Sequence, residues 1–323
     1  MTHFVFGAAG LTGGALVDRL ISEGLDVGAV DVMPSPDDMR SQLSWYEVDI
    51  RDPNALKTLP LGHGDMVHHL AARQYHVPVP KGGRDRYFHD VNVAGTRNIL
   101  SLMSERGCRE MIYFSTDMVY GIPDQVPVSS DAPLRPIGPY GESKLASERL
   151  IAEYRDQGMN ISVLRPRMII GPGRLGVLTK LFRLIRAGLP VPMIGNGKNH
   201  YQMISVFDCV TAVEQVMRHG VPNMTFNLGS EKPPQVRELL AALIAHAGSR
   251  SFLVPTPGAA VKAALSMLDS MGASLMYPEQ FRIADIDCRV DVEATKSALN
   301  WSPIHNDKDM LIVSYDEYVS RQS

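Results

Sequence analysis

The chain has 323 residues, 45% of them hydrophobic and 21% charged, with a formal net charge of -3. Such a composition suits a globular protein with a sizeable core, and the length exceeds one average domain. Without a basic surplus or a polybasic run there is no electrostatic footprint for nucleic acid, and no stretch approaches the ~18 uninterrupted apolar residues of a membrane helix.

The first element is a short apolar strand that runs into glycines: His3-Phe4-Val5-Phe6-Gly7-Ala8-Ala9-Gly10-Leu11-Thr12-Gly13-Gly14. The pattern predicts a helix from Leu11 to about Glu23, with Leu16, Leu20 and Ile21 on its buried side and Gly24 as its stop. A glycine turn lets the backbone approach a pyrophosphate closely, and the helix N-terminus adds N–H donors and a positive dipole. The spacing of Gly7, Gly10 and Gly13 is G-x-x-G-x-x-G rather than G-x-G-x-x-G. The next strand, Val27-Gly28-Ala29-Val30-Asp31, ends in an acid. Asp31 falls near the expected distance of about 20 residues, where a carboxylate holds a ribose 2′-hydroxyl. Val32-Met33-Pro34 follows without an arginine, so a 2′-phosphate would meet an anion and no cation. NAD is expected over NADP.

Further apolar strands are expected near 44–50, 65–70, 110–115 and 160–164, and helices near 86–106 and 139–156. That alternation predicts an α/β fold, a Rossmann-like doubly wound parallel sheet covered on both faces, with ligands at the carboxyl ends of the strands. His68 and His69 are adjacent, so their rings should point to opposite faces of a strand. The 10 histidines show no metal-ligand spacing. Cys108, Cys209 and Cys288 are scattered and form no C-x-x-C. With an N-terminus that enters a strand directly, they predict a cytoplasmic protein with free thiols and no metal.

The strand near 110–115 ends in Ser115-Thr116, and the helix that follows carries Tyr140-Gly141-Glu142-Ser143-Lys144. Tyrosine and lysine four apart share a helix face. A phenol of pKa about 10 is a poor base at neutral pH, and a nearby ammonium is expected to lower it. The pair reads as a proton shuttle for a hydroxyl or a carbonyl.

After Pro166 the chain becomes richer in Gly and Pro, and the elements shorten. The division expected is a dinucleotide-binding domain over 1–170 and a smaller lobe over 171–323 that binds substrate, with segments near 203–230 rejoining the first. A helix is predicted from about Gln235 to Ala247. From Ala259 to Met276 an amphipathic helix is predicted, with Val261, Ala264, Leu265, Leu268, Met271 and Leu275 on its apolar side. It reads as a lobe helix packed on the core, or as an apolar lid over a greasy substrate.

Taken together, these segments resemble the extended short-chain dehydrogenase/reductase family, of the nucleotide-sugar epimerase and dehydratase type, over most of the chain. Gly7, Gly10, Leu11 and Gly13 resemble its cofactor turn. Asp49-Ile50 resembles its adenine-contacting pair, and His69-Leu70-Ala71-Ala72 the motif after its fourth strand. Asn92 resembles its helix asparagine. Ser115-Thr116-Asp117-Met118-Val119-Tyr120-Gly121 resembles its strand-end motif, and Arg165-Pro166 with Gly171-Pro172-Gly173 the segment beside the nicotinamide. The resemblance implies NAD as cofactor, Thr116, Tyr140 and Lys144 as the catalytic set, and the glycines, Asp31, Asp49, Ile50, Leu70, Ala71, Ala72, Asn92, Ser115 and Pro166 with Tyr140 and Lys144 as the cofactor site. It also implies a homodimer through the helices near 86–106 and 139–156.

The expected activity is epimerisation of a nucleotide sugar at C4 through a transient 4-keto intermediate. Relatives that act on nucleotide sugars often carry an arginine just before the strand leading into the position of Asp208, to grip the diphosphate. Here that run is Asn199-His200-Tyr201-Gln202. Arg174, Arg183, Arg282 and Arg289 are the other arginines weighed for that grip. The missing arginine and the helix from Ala259 favour an alternative, a dehydrogenase or reductase of an apolar alcohol or ketone such as a sterol-like or phenolic compound. A non-catalytic NAD-sensing protein is the third reading, and the intact Thr116-Tyr140-Lys144 set argues against it.

Overall fold

The computed structural model describes residues 1–35, 43–75, 79–173, 176 and 178–322. The N-terminal part runs β1 (Thr2–Phe6), α1 (Leu11–Ser22), β2 (Asp26–Asp31), β3 (Ser44–Glu47), α2 (Pro53–Leu56), β4 (Met66–His69), α3 (Arg84–His89), α4 (Thr96–Arg106), β5 (Glu110–Phe114), α5 (Pro139–Asp156) and β6 (Asn160–Pro166). It continues through β7 (Met168–Ile170), α6 (Leu178–Arg186), β8 (Val191–Ile194), β9 (Met203–Ser205), α7 (Val206–Arg218) and β10 (Thr225–Leu228). The last part is α8 (Val236–His246), β11 (Leu253–Thr256), α9 (Gly258–Ser270), α10 (Pro278–Phe281), α11 (Glu293–Leu299) and α12 (Asp307–Ser320). The helix expected near 86–106 is broken by a π-helical stretch, Asp90–Gly95, between α3 and α4.

Seven strands form one parallel sheet in the order β10-β6-β5-β4-β1-β2-β3. Successive side chains alternate between its faces, which explains why the strands read as continuous apolar runs. Phe4 and Phe6 join Ile99, Met111, Tyr113 and Ile151 on one side, whereas Val5 joins Leu16, Ile112, Phe114, Val213 and Trp301 on the other. The chain order reverses between β1 and β4, and the crevice outside their carboxyl ends is the ligand position of such sheets.

The lobe has its own core, which includes Phe182, Ile185, Met193, Met203, Leu243 and Tyr315. Past residue 170 the chain returns to the sheet twice. β10 pairs with β6 and α7 packs on α1; later, Thr295 Oγ1 donates to the Asn227 carbonyl at 2.9 Å.

The helix predicted over 259–276 stops at Ser270. Leu265 is its one buried residue, and Met267, Met271 and Leu275 are 66%, 65% and 56% exposed. The amphipathic pattern was real, but this helix lies at the rim of the lobe rather than on its core.

The two adjacent histidines of β4 point to opposite faces, as a strand requires. His68 Nε2 is 3.0 Å from His3 Nδ1, and His69 Nε2 is 2.8 Å from Thr96 Oγ1. Burial pushes both His68 and His69 down to about 3. The unfolded chain takes up these protons near pH 6.5, but the folded chain does not. Stability is therefore full above pH 6.5 and is lost as pH falls towards 3. Each group contributes up to about 1.4 kcal/mol per pH unit in that window. Urea unfolding between pH 7 and 5 should show this slope, and His68→Asn should remove one group's share of it; a stability flat across that range would refute the assignment.

Candidate active site

The turn after β1 places backbone where a diphosphate would lie. Gly7 has φ +88, and a Cβ there would stand 2.7 Å from the Ala71 nitrogen. A Cβ on Gly13 would stand 2.0 Å from the Gly7 carbonyl oxygen. Only glycine fits either position, and the result is a shallow cradle over the start of α1. Asp31, at the end of β2, accepts from Ala9 N–H and Met33 N–H, both at 3.0 Å, one on each oxygen. Its remaining lone pairs can still accept from a ribose hydroxyl.

A cavity of about 1480 Å³ runs from this cradle past the carboxyl ends of the strands into the lobe. Its walls include Gly7, Gly10, Leu11, Gly13, Asp31, Asp49, Ile50, Leu70, Ala71, Ala72, Ser115, Thr116, Tyr140, Lys144 and Pro166. The structure thus brings together every predicted site residue but one. Asn92 is the exception: it is 1% exposed and does not line the cavity. Its Oδ1 accepts from Arg73 N–H at 2.8 Å, and its Nδ2 donates to Ser143 Oγ at 2.9 Å. Asn92 ties the loop after β4 to α5 and supports the site from behind. Ser115 lines the cavity, but its hydroxyl donates inward to Glu148.

Tyr140 and Lys144 are both buried on α5. The Lys144 amino group donates to Tyr113 Oη at 3.0 Å and to the Phe114 carbonyl at 2.5 Å. Burial pushes Lys144 down to about 7, opposed by the Glu148 carboxylate. The expectation that Lys144 lowers the Tyr140 phenol is corrected here. Burial holds that phenol above its ordinary value, a Thr116 hydrogen bond draws it part-way back, and the Glu279 and Asp117 charges add to the rise. The lysine is turned onto Tyr113 and a main-chain oxygen, and desolvation is the largest influence on the phenol.

Three sets of contacts in this site could not be read from the sequence, although Asp117 itself belongs to the strand-end motif. Asp117 is joined to Arg167 in a buried ion pair, and Arg167 also lies over the Tyr201 ring, 5.6 Å from its centroid. Tyr75 meets the Tyr140 ring edge-on at 5.8 Å. Glu279, from the lobe, accepts from the Tyr140 N–H at 2.9 Å. The fourth arginine weighed for a diphosphate, Arg174, lies outside the described residues. Arg183, Arg282 and Arg289 do not line the cavity.

The NAD dependent epimerase/dehydratase family matches residues 3–229. The chain belongs to that family. It is 28% identical to a UDP-glucose 4-epimerase of Mycolicibacterium smegmatis over 77% of this chain and 83% of that one. It is 29% identical to a dTDP-glucose 4,6-dehydratase of Streptomyces griseus over 77% and 79%. Among solved structures, the UDP-glucose 4-epimerase of Thermotoga maritima with UDP-glucose superposes with a TM-score of 0.81 over 100% of both chains, at 23% identity. The Rossmann-like fold and NAD dependence of this family member accord with the glycine cradle and Asp31. NAD should bind more tightly than NADP by tenfold or more, about 1.4 kcal/mol, and Asp31→Ala should narrow that gap. Equal affinities in the unaltered protein, measured by calorimetry, would sink the role given to Asp31.

Proposed function

We propose that this family member epimerises a nucleotide sugar at C4 through a transient 4-keto intermediate. One observation carries the reading: Thr116, Tyr140 and Lys144 converge on a single cavity that is continuous from the cofactor cradle into the lobe. At about 1480 Å³ it exceeds the usual ~300–1,000 Å³ of a one-ligand pocket, so a second ligand has room beside the dinucleotide and room to turn over. Bound NAD supplies the hydride acceptor and donor, and a positive ring that favours a phenolate at Tyr140. Tyr140 takes the proton of the sugar 4-hydroxyl and later returns it. Thr116 hydrogen-bonds the reacting oxygen, and Lys144 holds the cofactor ribose.

A second reading, oxidation or reduction of an apolar alcohol or ketone, is favoured by the lobe side of the cavity. Met168, Met193, Tyr201, Met203, Leu240 and Met276 line it, and Arg167 there is already paired with Asp117. Segment 276–284 contributes to this wall, whereas α9 does not.

The test is a panel of UDP-, GDP- and dTDP-sugars and apolar secondary alcohols, with cofactor content measured first. An epimerase converts a sugar with no net NADH. Stoichiometric NADH from an apolar alcohol, and no sugar turnover, would replace the first reading with the second. Loss of water is not expected. Met118 lines the cavity beside Thr116, and a thioether cannot take a C5 proton. Asp117 is occupied by Arg167. A product lighter by one water in mass spectrometry would overturn this exclusion.

The reading also carries a two-fold homodimer through α4 and α5. Leu145, Leu150 and Ile151 are all buried within the chain, so the outer face left for a partner is polar, with Glu142, Arg149 and Glu153 exposed. Association should weaken with salt; sedimentation as a concentration-independent monomer at low salt would count against it.

A further inference from the structure

Helix α5 begins at Pro139, and its N-cap residue is Gly138, which has no side chain to satisfy the first amides. Such a start normally takes a Ser, Thr, Asp or Asn. Here the cap comes from 139 residues further along the chain. Glu279 Oε1 accepts from the Tyr140 N–H at 2.9 Å, and the Gly141 N–H also bonds to this carboxylate. A Cβ on Gly138 would lie 2.3 Å from Glu279 Oε1. The carboxylate occupies the space of a local cap, and glycine is what leaves that space open.

Glu279 is 1% exposed and is not among the ion pairs of the described residues. Burial raises it above the ordinary carboxylate range, and bonds from Tyr75 and from the Tyr140 and Gly141 amides oppose that rise, while Glu142 adds to it. Its second oxygen has no well-formed partner, and the Tyr75 hydroxyl acts on the carboxylate as a whole. The surrounding contacts join the lobe to the other half of the site. Tyr277 stacks on Tyr75 with centroids 4.5 Å apart, and its hydroxyl accepts from the Val79 N–H at 2.9 Å. Arg84 grips Asp269 through two bonds of 2.8 and 2.9 Å. A neutral cap would satisfy the same amides without burying a charge, so stability alone is a poor account of this arrangement.

We propose that Glu279 is a positioning residue: delivered by the lobe, it clamps the first turn of α5 and so sets the place and the electrostatic surroundings of the Tyr140 phenol, which makes correct seating of the lobe a condition for a competent site. The inference rests on Tyr140 being the proton-transfer group.

Two measurements that need no substrate test it. In protein labelled with fluorotyrosine, whose phenol is more acidic than tyrosine's, Tyr140→Phe assigns the 19F resonance of residue 140. Glu279→Gln keeps an acceptor and removes the charge. Its 19F titration midpoint is expected on the order of one pH unit lower than in the parent, because a carboxylate disfavours a neighbouring phenolate. Thr116 and Asp117, which act on the same phenol, and Tyr75 and Glu142, which act on Glu279, are unchanged in that comparison. In hydrogen exchange, Glu279→Ala should speed the Tyr140 and Gly141 amides by tenfold or more, with Glu279→Gln restoring most of the protection. If Glu279→Ala melts too low to measure, Gly138→Ser in the same chain supplies a local cap; that double variant should regain amide protection and keep the lowered midpoint. A midpoint that does not move, or amides that exchange alike in all variants, would overturn the proposal. Tyr140→Phe separates it from the reading it rests on: full turnover in that variant removes the catalytic role while leaving the clamp measurements to stand.

Discussion

Replacing Tyr140 with phenylalanine is expected to lower turnover by about 10²–10⁴-fold, the usual loss for a positioned acid/base. NAD affinity should stay within a few-fold of the parent. On the proposed reading the phenol is the group that moves a proton beside Thr116, whereas the dinucleotide would rest on the Gly7–Gly13 cradle, which only glycine fits, and on Asp31. The ring itself is held by Phe88 and Tyr75, at 5.7 and 5.8 Å, and these contacts persist in the variant. Calorimetry for the cofactor and steady-state rates on the true substrate separate the two effects. Near-normal kcat would refute the assignment. Weakened NAD binding with unchanged kcat would place Tyr140 in the cofactor site alone.

A comparable loss, in stability, is expected at Arg165. Its guanidinium bonds to Glu148 at 3.0 and 2.5 Å, to Tyr120 Oη at 2.9 Å and to the Ser130 carbonyl at 2.8 Å. The side chains of the pair are 5% and 8% exposed. Arg165→Met removes the cation and leaves a buried carboxylate whose remaining side-chain donor is Ser115. An uncompensated buried charge of this kind costs about 3–5 kcal/mol. Glu148→Gln added to Arg165→Met removes the stranded charge and should recover a good part of that loss, since both residues of a neutralised pair are often tolerated together. Urea denaturation measures both. A single variant that loses less than about 1 kcal/mol, or a double variant no better than the single, would show that the pair is not what holds this corner.

The parts of the site that depend on local chain chemistry could be read from the residues alone. An apolar strand running into spaced glycines, an acid at the end of the next strand, and a tyrosine and lysine one helical turn apart each need only a few neighbours to specify them, and the sheet then brings them to one cavity. What could not be read depends on distant partners. Glu279 is separated from Tyr140 by 139 positions, and nothing near Glu279 in the chain marks it as a cap. Asn92 carries the right residue type for a cofactor contact but spends its amide on Arg73 and Ser143. The Lys144 amino group was expected to act on Tyr140, yet its direction is set by Tyr113 and the Phe114 carbonyl. The apolar stripe of 259–276 has helical spacing, but spacing does not say whether a helix packs inward, and Gly272, at φ +75, lies just beyond its actual end.

Cys108, Cys209 and Cys288 are free and buried. Burial raises Cys108 and Cys288 to about 11 and Cys209 well above the ordinary thiol value. A thiolate is the reactive form, so in the folded protein all three are shielded twice, by access and by protonation. They also sit in different places: Cys108 in the core on one face of the sheet, Cys209 in the core on the other, and Cys288 beside Arg167, near the base of the lobe. An alkylating reagent therefore finds each sulfur only when its own surroundings part, and the order in which the three are labelled is a built-in record of which region of the molecule breathes first.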